Sequence, residues 1–218
     1  MTEFGKRLIT SFFLGSLFWF LFAYLPPIYF SLILLSILVL IIVFEWRRFF
    51  TVYQSAYWLT LPFYPVFPFI LLIIMNQNPL YHDLLLELFV IVASLDTGSY
   101  IIGSVFGKHK ICPRISPQKT WEGFIGGYAL AVLSLVFIMF YEQRKVLPLW
   151  LIMGFTLIIC ILALCGDLFE SWLKRRAHIK HSGTMLPGHG GFLDRFDGIL
   201  FAVFFFYLFK DQLVRFFD

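Results

Sequence analysis

The sequence predicts an all-α integral membrane protein, a polytopic bundle of about seven transmembrane helices with cytoplasmic active-site loops. Three observations lead there. Of 218 residues, 60% are hydrophobic and only 14% are charged, against roughly 45–50% and about 25% in an ordinary soluble domain. A chain of this length cannot enclose so much apolar surface in a water-facing core, so lipid must solvate most side chains. The apolar residues also fall in runs close to the ~20 that a helix needs to cross the hydrocarbon layer. Finally, lysine and arginine are divided very unequally between alternate connecting segments.

The first run extends from Leu8 to Leu25 and stops at Pro26-Pro27. Lys6-Arg7 ahead of it would suit a secretory signal, but the run is long and ends without a small-residue cleavage site. It reads as an uncleaved first helix. The second run, Ile28 to Phe44, follows so closely that the two must form a tight hairpin. A third covers about Tyr57 to Met75, with Pro62, Pro65 and Pro68 expected to kink it or delay its start. The fourth, Leu84 to Phe106, carries Glu87 and Asp96. Phe124 to Tyr141 and Val146 to Leu164 give the fifth and sixth. Gly198 to Phe209 gives the last; it is short for a crossing and could extend to Phe216-Phe217. No repeat or low-complexity tract interrupts the pattern. One membrane domain is expected over 1–218, with N-terminal helices over 1–83 and a catalytic part over 84–218.

Orientation follows from the basic residues of short loops. With the N-terminus inside, thirteen lie on the cytoplasmic side: Lys6, Arg7, Arg47, Arg48, Lys108, Lys110, Arg114, Lys119, Lys174, Arg175, Arg176, Lys180 and Arg195. Arg144, Lys145, Lys210 and Arg215 are left outside, which completes the 17 in the chain. Three scattered cysteines (Cys112, Cys160 and Cys165) suit neither a disulfide framework nor a zinc site.

This topology puts two polar stretches, Gly103 to Gly127 and Gly166 to Asp197, on the same side. In the second, Asp167 and Glu170 end the sixth run, and Asp194 and Asp197 begin the seventh. Carboxylates three residues apart share a helix face, and acidic groups at membrane depth usually face a polar interior. Between them lie Lys174, Arg175, Arg176, Lys180 and Arg195, and the turn Pro187-Gly188-His189-Gly190-Gly191. Carboxylates hold divalent metals; basic side chains and glycine-exposed backbone N–H groups hold phosphate oxygens. The pattern describes metal-assisted phosphoryl or nucleotidyl transfer at a lipid interface. Taken singly, each part has a plainer explanation. Lys174 to Arg176 serves equally well as a topology anchor, His178 and His181 as loop histidines, and Glu122 as a helix cap. Their concentration at the mouths of adjoining spans favours a site.

The stretch Ser171-Trp-Leu-Lys174-Arg175, Lys180-His181 and Pro187-Gly-His189-Gly-Gly-Phe-Leu-Asp194-Arg195-Phe-Asp197 resembles the signature of phosphatidate cytidylyltransferases (CDP-diacylglycerol synthases). Ser116-Pro-Gln-Lys119-Thr120-Trp-Glu122-Gly and Gly166-Asp167-Leu are similar to further stretches of that family. Asp96-Thr-Gly-Ser-Tyr100 and Gly107-Lys108 also fit. The resemblance is close over 96–198 and looser before it. Family members generally carry Asp after the lysine, where this chain has His181, and a histidine replaces only part of a carboxylate's work. The chain is short for the family, a difference expected to fall in the N-terminal helices.

The resemblance implies transfer of a cytidylyl group from CTP to phosphatidate, giving CDP-diacylglycerol and pyrophosphate. It implies Mg²⁺, held by Asp167, Asp194 and Asp197, with a monovalent cation such as K⁺ as a second candidate. Lys174, Arg175, Lys180 and Arg195 are expected to neutralise phosphates, Ser171 and His189 to hydrogen-bond them, and Gly188, Gly190 and Gly191 to form a close-approach loop. Ser116, Lys119, Thr120 and Glu122 are expected to complete the nucleotide site, with Asp96 at the bottom of the polar cavity. Expected partners are CTP, phosphatidate, the lipid bilayer and a second copy in a homodimer, with no nucleic acid. Three readings compete. A CTP-dependent lipid-alcohol kinase would attack the γ-phosphorus. A transporter would use Glu87 and Asp96. A catalytically weakened relative would follow from His181. The CDP-alcohol phosphatidyltransferase pattern is absent.

Overall fold

The computed structural model describes residues 15–50, 54–143, 147–183, 185 and 190–217. Helix α1 is described over Gly15–Tyr24 and α2 over Pro27–Phe49; α3 is Ser55–Gln77, α4 Pro79–Phe106, α5 Trp121–Tyr141 and α6 Leu149–Arg176. Two short strands, β1 (Lys110–Cys112) and β2 (Ser116–Thr120), lie between α4 and α5. Helices α7 (Leu193–Leu208) and α8 (Lys210–Phe217) complete the order.

Among the described residues, α2 to α6 are long and apolar enough to cross a membrane, and the chain is an integral membrane protein. Sequence runs and helices agree in order, but the count of seven is not matched by length. Helix α7 has 16 residues, a rise of ~24 Å against a hydrocarbon core of ~30 Å. Its expected extension is the separate helix α8, which carries Lys210, Asp211 and Arg215. The start of the first run, Leu8 to Leu14 with Lys6 and Arg7, lies outside the described residues, as do Arg144, Lys145 and Val146.

The chain divides into two compact units, 1–78 with 173–196, and 79–172 with 197–218. In the first, Pro27 opens α2 at a position that suits proline, since its missing N–H would have no intrahelical partner. Asn76, fully buried near the end of α3, donates to Pro27 O at 2.6 Å and to Ser31 Oγ at 2.8 Å. Gln77 donates to the same hydroxyl at 2.7 Å. These bonds set α2 and α3 side by side and antiparallel. The prolines of α3 do not break it: Pro62–Val66 takes a widened π turn, in which Phe67 N–H reaches back to Pro62 O. The i−4 bonds that proline forbids are bypassed. A second π segment, Ile41–Trp46, widens α2 near its end.

In the second unit, α4 and α5 touch backbone to backbone. A Cβ on Gly98 would lie 2.7 Å from Gly127 Cα, and one on Gly123 would lie 2.9 Å from Ser99 O. Glycines at these crossings give the close approach that membrane helices use in place of a hydrophobic drive. Ser94 donates across the pair to Ser134 Oγ at 2.8 Å. The polar stretch between these helices, expected as a loop, is a β1–β2 antiparallel hairpin with Lys110 opposite Thr120 and Cys112 opposite Ser116. Helices α6 and α7 also cross at glycines: a Cβ on Gly166 would collide with Asp197 O, and one on Gly198 would lie 3.2 Å from Ala163 Cβ. Helix α8 is tied to α4 by Tyr81 Oη donating to Asp211 at 2.6 Å.

The crossings predict opposite outcomes for two glycine substitutions, read as thermal melts in detergent. Gly98→Val forces α4 off α5 and should cost about 1–3 kcal/mol. Gly154→Ala, where an added Cβ meets nothing within 4 Å, should leave stability unchanged or raise it by about 0.5–1 kcal/mol.

Candidate active site

Helix α6 runs well beyond its apolar portion and carries Asp167, Glu170, Ser171 and Lys174 along its last turns. Lys174–Arg176 lie in its final turn, where cations meet the negative end of the helix dipole. His178 ends the helix in the left-handed region, at φ 57°, with Ala177 N–H bonded to Leu173 O and Ile179 N–H to Lys174 O. This is a capping role. Asp194 and Asp197 sit in the first turns of α7. The two pairs of carboxylates therefore stand on helices, as their spacing predicts.

In the second unit, Lys119 at the end of β2 forms an ion pair with Asp167 Oδ2, and Ser171 Oγ donates to Asp167 Oδ1 at 3.3 Å. This ion pair joins the two polar stretches, 48 residues apart in sequence. Burial by itself would lower the Lys119 pKa, but the Asp167 carboxylate, helped by Asp197 and Asp96, holds it above the ordinary lysine value. The ammonium is charged at any physiological pH. Asp197 is buried and lies in the field of Asp167, Glu170 and Asp96, with Lys119 as a countercharge. Its Oδ1 accepts from Gly198 N–H at 2.7 Å. Asp96 is solvent-accessible on α4, and its charge acts on both Lys119 and Asp197.

The remaining hairpin residues are held by local bonds. Thr120 is the N-cap of α5, its Oγ1 accepting from Gly123 N–H at 3.1 Å. Glu122 accepts from the N–H groups of Lys108 and His109, both at 3.1 Å, and lies 2.5 Å from His109 Nδ1. The capping role considered for Glu122 is thus an anchoring of the Gly-Lys-His-Lys segment. Ser116 lies in β2, half-buried, opposite Cys112.

In the first unit, Lys174 Nζ donates to Asp194 Oδ1 at 2.7 Å. Asp194 Oδ2 accepts from Gly191 N–H at 2.9 Å and Ser182 N–H at 3.2 Å, the reach-back of an acidic residue three places into a helix. His181 Nδ1 lies 4.0 Å from the same oxygen. Gly190 has φ +84°, and a Cβ there would strike Asp194 Oδ2, so glycine is required. Arg175, Lys180 and Arg195 are exposed. Pro187, Gly188 and His189 lie outside the described residues.

One residue absent from the sequence-predicted set belongs to this cluster. Glu45, fully buried in the π segment of α2, accepts from Ser182 Oγ at 2.9 Å, Phe192 N–H at 2.7 Å and Leu193 N–H at 2.9 Å. Its one local signal is an acidic residue inside an apolar run.

The fit to Mg²⁺ can be judged from the donor set. The carboxylates of Asp167 and Asp197 are hard oxygen donors in one field, and Mg²⁺ is commonly bound through one or two carboxylates with phosphates and water completing the shell. Among the described residues no three ligating side chains converge on one point. Each of the three expected ligands also accepts from the protein: Asp167 from Lys119 and Ser171, Asp194 from Lys174 and two backbone N–H groups, and Asp197 from Gly198 N–H.

Comparison with known proteins supplies the family. The chain is 45% identical over 119 residues to a phosphatidate cytidylyltransferase of Staphylococcus haemolyticus, covering 55% of this chain and 45% of that one. It is 44% identical over 119 residues to that of Staphylococcus aureus, with the same coverage. It is 47% identical over 116 residues to that of Staphylococcus epidermidis, covering 53% and 44%. The matched stretch spans just under half the length of these relatives. The model of the Cytidylyltransferase family matches residues 4–212. Since that match takes in every helix from α1 to α7 and both polar stretches, the chain belongs to the Cytidylyltransferase family.

Proposed function

We propose that this protein transfers the cytidylyl group of CTP to phosphatidate, releasing pyrophosphate and forming CDP-diacylglycerol. The observation that carries the reading is the Lys119–Asp167 ion pair, which joins two motif stretches at a polar cluster of carboxylate, ammonium and hydroxyl. In the reaction a phosphate oxygen of phosphatidate attacks the α-phosphorus of CTP in line. A bond forms between that oxygen and phosphorus, and the bond to the α,β-bridging oxygen breaks. The nucleophile is already anionic, so the site needs no strong general base; the larger obstacle is bringing two polyanions together.

In this reading Lys119 meets phosphate oxygens with a fixed positive charge, and Ser171 turns its hydroxyl from Asp167 to hydrogen-bond one of them. Asp167 orients Lys119 while keeping it charged. Asp167 and Asp197 would hold Mg²⁺, which when bound supplies further charge neutralisation at the phosphates. Lys174, held by Asp194, and the exposed Arg175, Lys180 and Arg195 add to the positive field that draws anionic substrates to the membrane face. The 13-to-4 distribution of basic residues supports a cytoplasmic N-terminus and a cytoplasmic site. The acyl chains remain in the bilayer throughout. A homodimer, implied by the family resemblance, is part of the same reading.

Two labels separate this reading from a lipid kinase. With purified protein, phosphatidate and Mg²⁺, label at the α-phosphorus of CTP should enter a chloroform-soluble product that retains cytidine. Label at the γ-phosphorus should leave with pyrophosphate. γ-Label in a lipid would instead establish a kinase, and no lipid label from folded protein would refute transfer altogether. Chelating Mg²⁺ should abolish transfer, and restoring it should recover the activity.

Lys119→Gln and Asp167→Asn should each lower the rate by about 100-fold or more, the usual size of losing one preorganised electrostatic contact at a transferring group. Initial rates in detergent micelles would measure both.

A further inference from the structure

We infer that Glu45 is a positioning residue: its buried carboxylate holds Ser182 together with Phe192 and Leu193 at the start of α7, and so sets how the adjoining glycines Gly190 and Gly191 are presented to substrate. The inference rests on the transfer reading above for its kinetic part, and on the geometry alone for its structural part.

Three donors converge on this one side chain. Oε1 accepts from Phe192 N–H, and Oε2 accepts from Leu193 N–H and from Ser182 Oγ. Phe192 and Leu193 open α7, where the first N–H groups have no intrahelical acceptors, and a negative charge is favoured at that end of the dipole. Glu45 therefore caps α7 from 147 residues away in sequence, while Asp194 caps it locally through Gly191 N–H. Ser182, fully buried, links the two acids, since its hydroxyl donates to Glu45 and its N–H to Asp194.

The neighbouring glycines are shaped around the same carboxylate. A Cβ on Gly183 would lie 2.9 Å from Glu45 Oε1; one on Gly191 would lie 2.6 Å from both Glu45 oxygens and collide with Ser182 Oγ. Each position leaves room for the acid and for nothing more. The widened turn at Ile41–Trp46 places Glu45 fully inside while Val43 and Phe44, just before it, are exposed. Local π turns recur at functional sites. Chemistry fixes the side chain: three donors require an acceptor on each oxygen, which glutamine cannot supply because its NH₂ group would face N–H or O–H.

The experiment compares Glu45→Gln, Glu45→Asp and, as a core control, Leu34→Ala, which removes a buried side chain of α2 outside the clamp. Two readouts are taken on detergent-solubilised protein. Hydrogen exchange of the peptides covering 182–196 should accelerate in Glu45→Gln and not in Leu34→Ala. In steady state, Glu45→Gln should raise the KM for CTP by about tenfold or more, as expected for losing hydrogen bonds to a charged group, with a smaller effect on the KM for phosphatidate. Glu45→Asp, which keeps the charge but draws it back by one methylene, should recover part of the loss. Unchanged exchange in Glu45→Gln overturns the inference whatever the enzyme does. So does a Leu34→Ala control that shifts the CTP KM equally. Inactive wild-type protein with accelerated exchange in Glu45→Gln would refute the transfer reading and leave the clamp standing.

Discussion

A polar group at membrane depth has no water to fall back on, so its partners must come from the chain itself. The structure meets this constraint repeatedly with a single polar side chain serving several acceptors or donors. Asn76 binds both a backbone carbonyl and a hydroxyl of α2. Glu45 accepts from one hydroxyl and two N–H groups. Asp194 takes an ammonium and two N–H groups, and Asp167 takes an ammonium and a hydroxyl. Removing one member of such a set leaves the others buried and unmatched, a penalty larger than the worth of the lost bond. Every polar cluster is therefore also a constraint on the helices that bear it.

Glycine is the other half of that constraint. Lipid gives helices no hydrophobic reason to associate, so close backbone packing has to supply it. Gly98 and Gly127 bring α4 against α5, and Gly166 and Gly198 bring α6 against α7. The second crossing has a chemical consequence. Asp167 follows Gly166 and Asp197 precedes Gly198, so the contact that packs these helices also places two carboxylates in one field. Lys119 answers that accumulation of negative charge. Packing and electrostatics at this point cannot be varied independently.

Much of this is legible along the chain. Long apolar runs and their bounding prolines predict α2 to α5 and the start of α6, because helix length in lipid is set by the bilayer; the polar extension of α6 to Arg176 is not in the hydropathy. Carboxylates three apart predict the helical faces of Asp167 with Glu170 and Asp194 with Asp197. The prolines of α3 do not delay its start, which lies at Ser55; they are taken up by a π turn that avoids the forbidden α bond. The hairpin at 110–120 reads as loop: five residues as polar as Ser-Pro-Gln-Lys-Thr carry no strand periodicity and gain their order from pairing and from Glu122. Glu45 escapes a sequence reading because its meaning lies 137 to 148 residues away. In sequence it is one acid before Trp46-Arg47-Arg48 at the end of a span, where acids and bases are common. Asp96 stands out as an acid within a span, and its charge does act on Lys119 and Asp197.

The resemblance to the phosphatidate cytidylyltransferase signature implies an aspartate where this chain has His181, and that difference can be weighed in the same terms. An aspartate there would add a second carboxylate beside Asp194 and would depend on Lys174 and its neighbours to offset it. His181 lies 4.0 Å from Asp194 Oδ2, and an imidazole adds no negative charge, neutral or protonated. The bonds that fix Asp194 come from Lys174, Ser182 N–H and Gly191 N–H, none of which requires an acid at 181. The contacts of Asp194 therefore tolerate the histidine. What changes is the electrostatic balance at the mouth of the loop, where the chain carries one fewer negative charge against the same set of lysines and arginines. In the proposed transfer reaction such a change would act on how strongly anionic phosphates are held, while the bonds that fix Asp194 stay as they are.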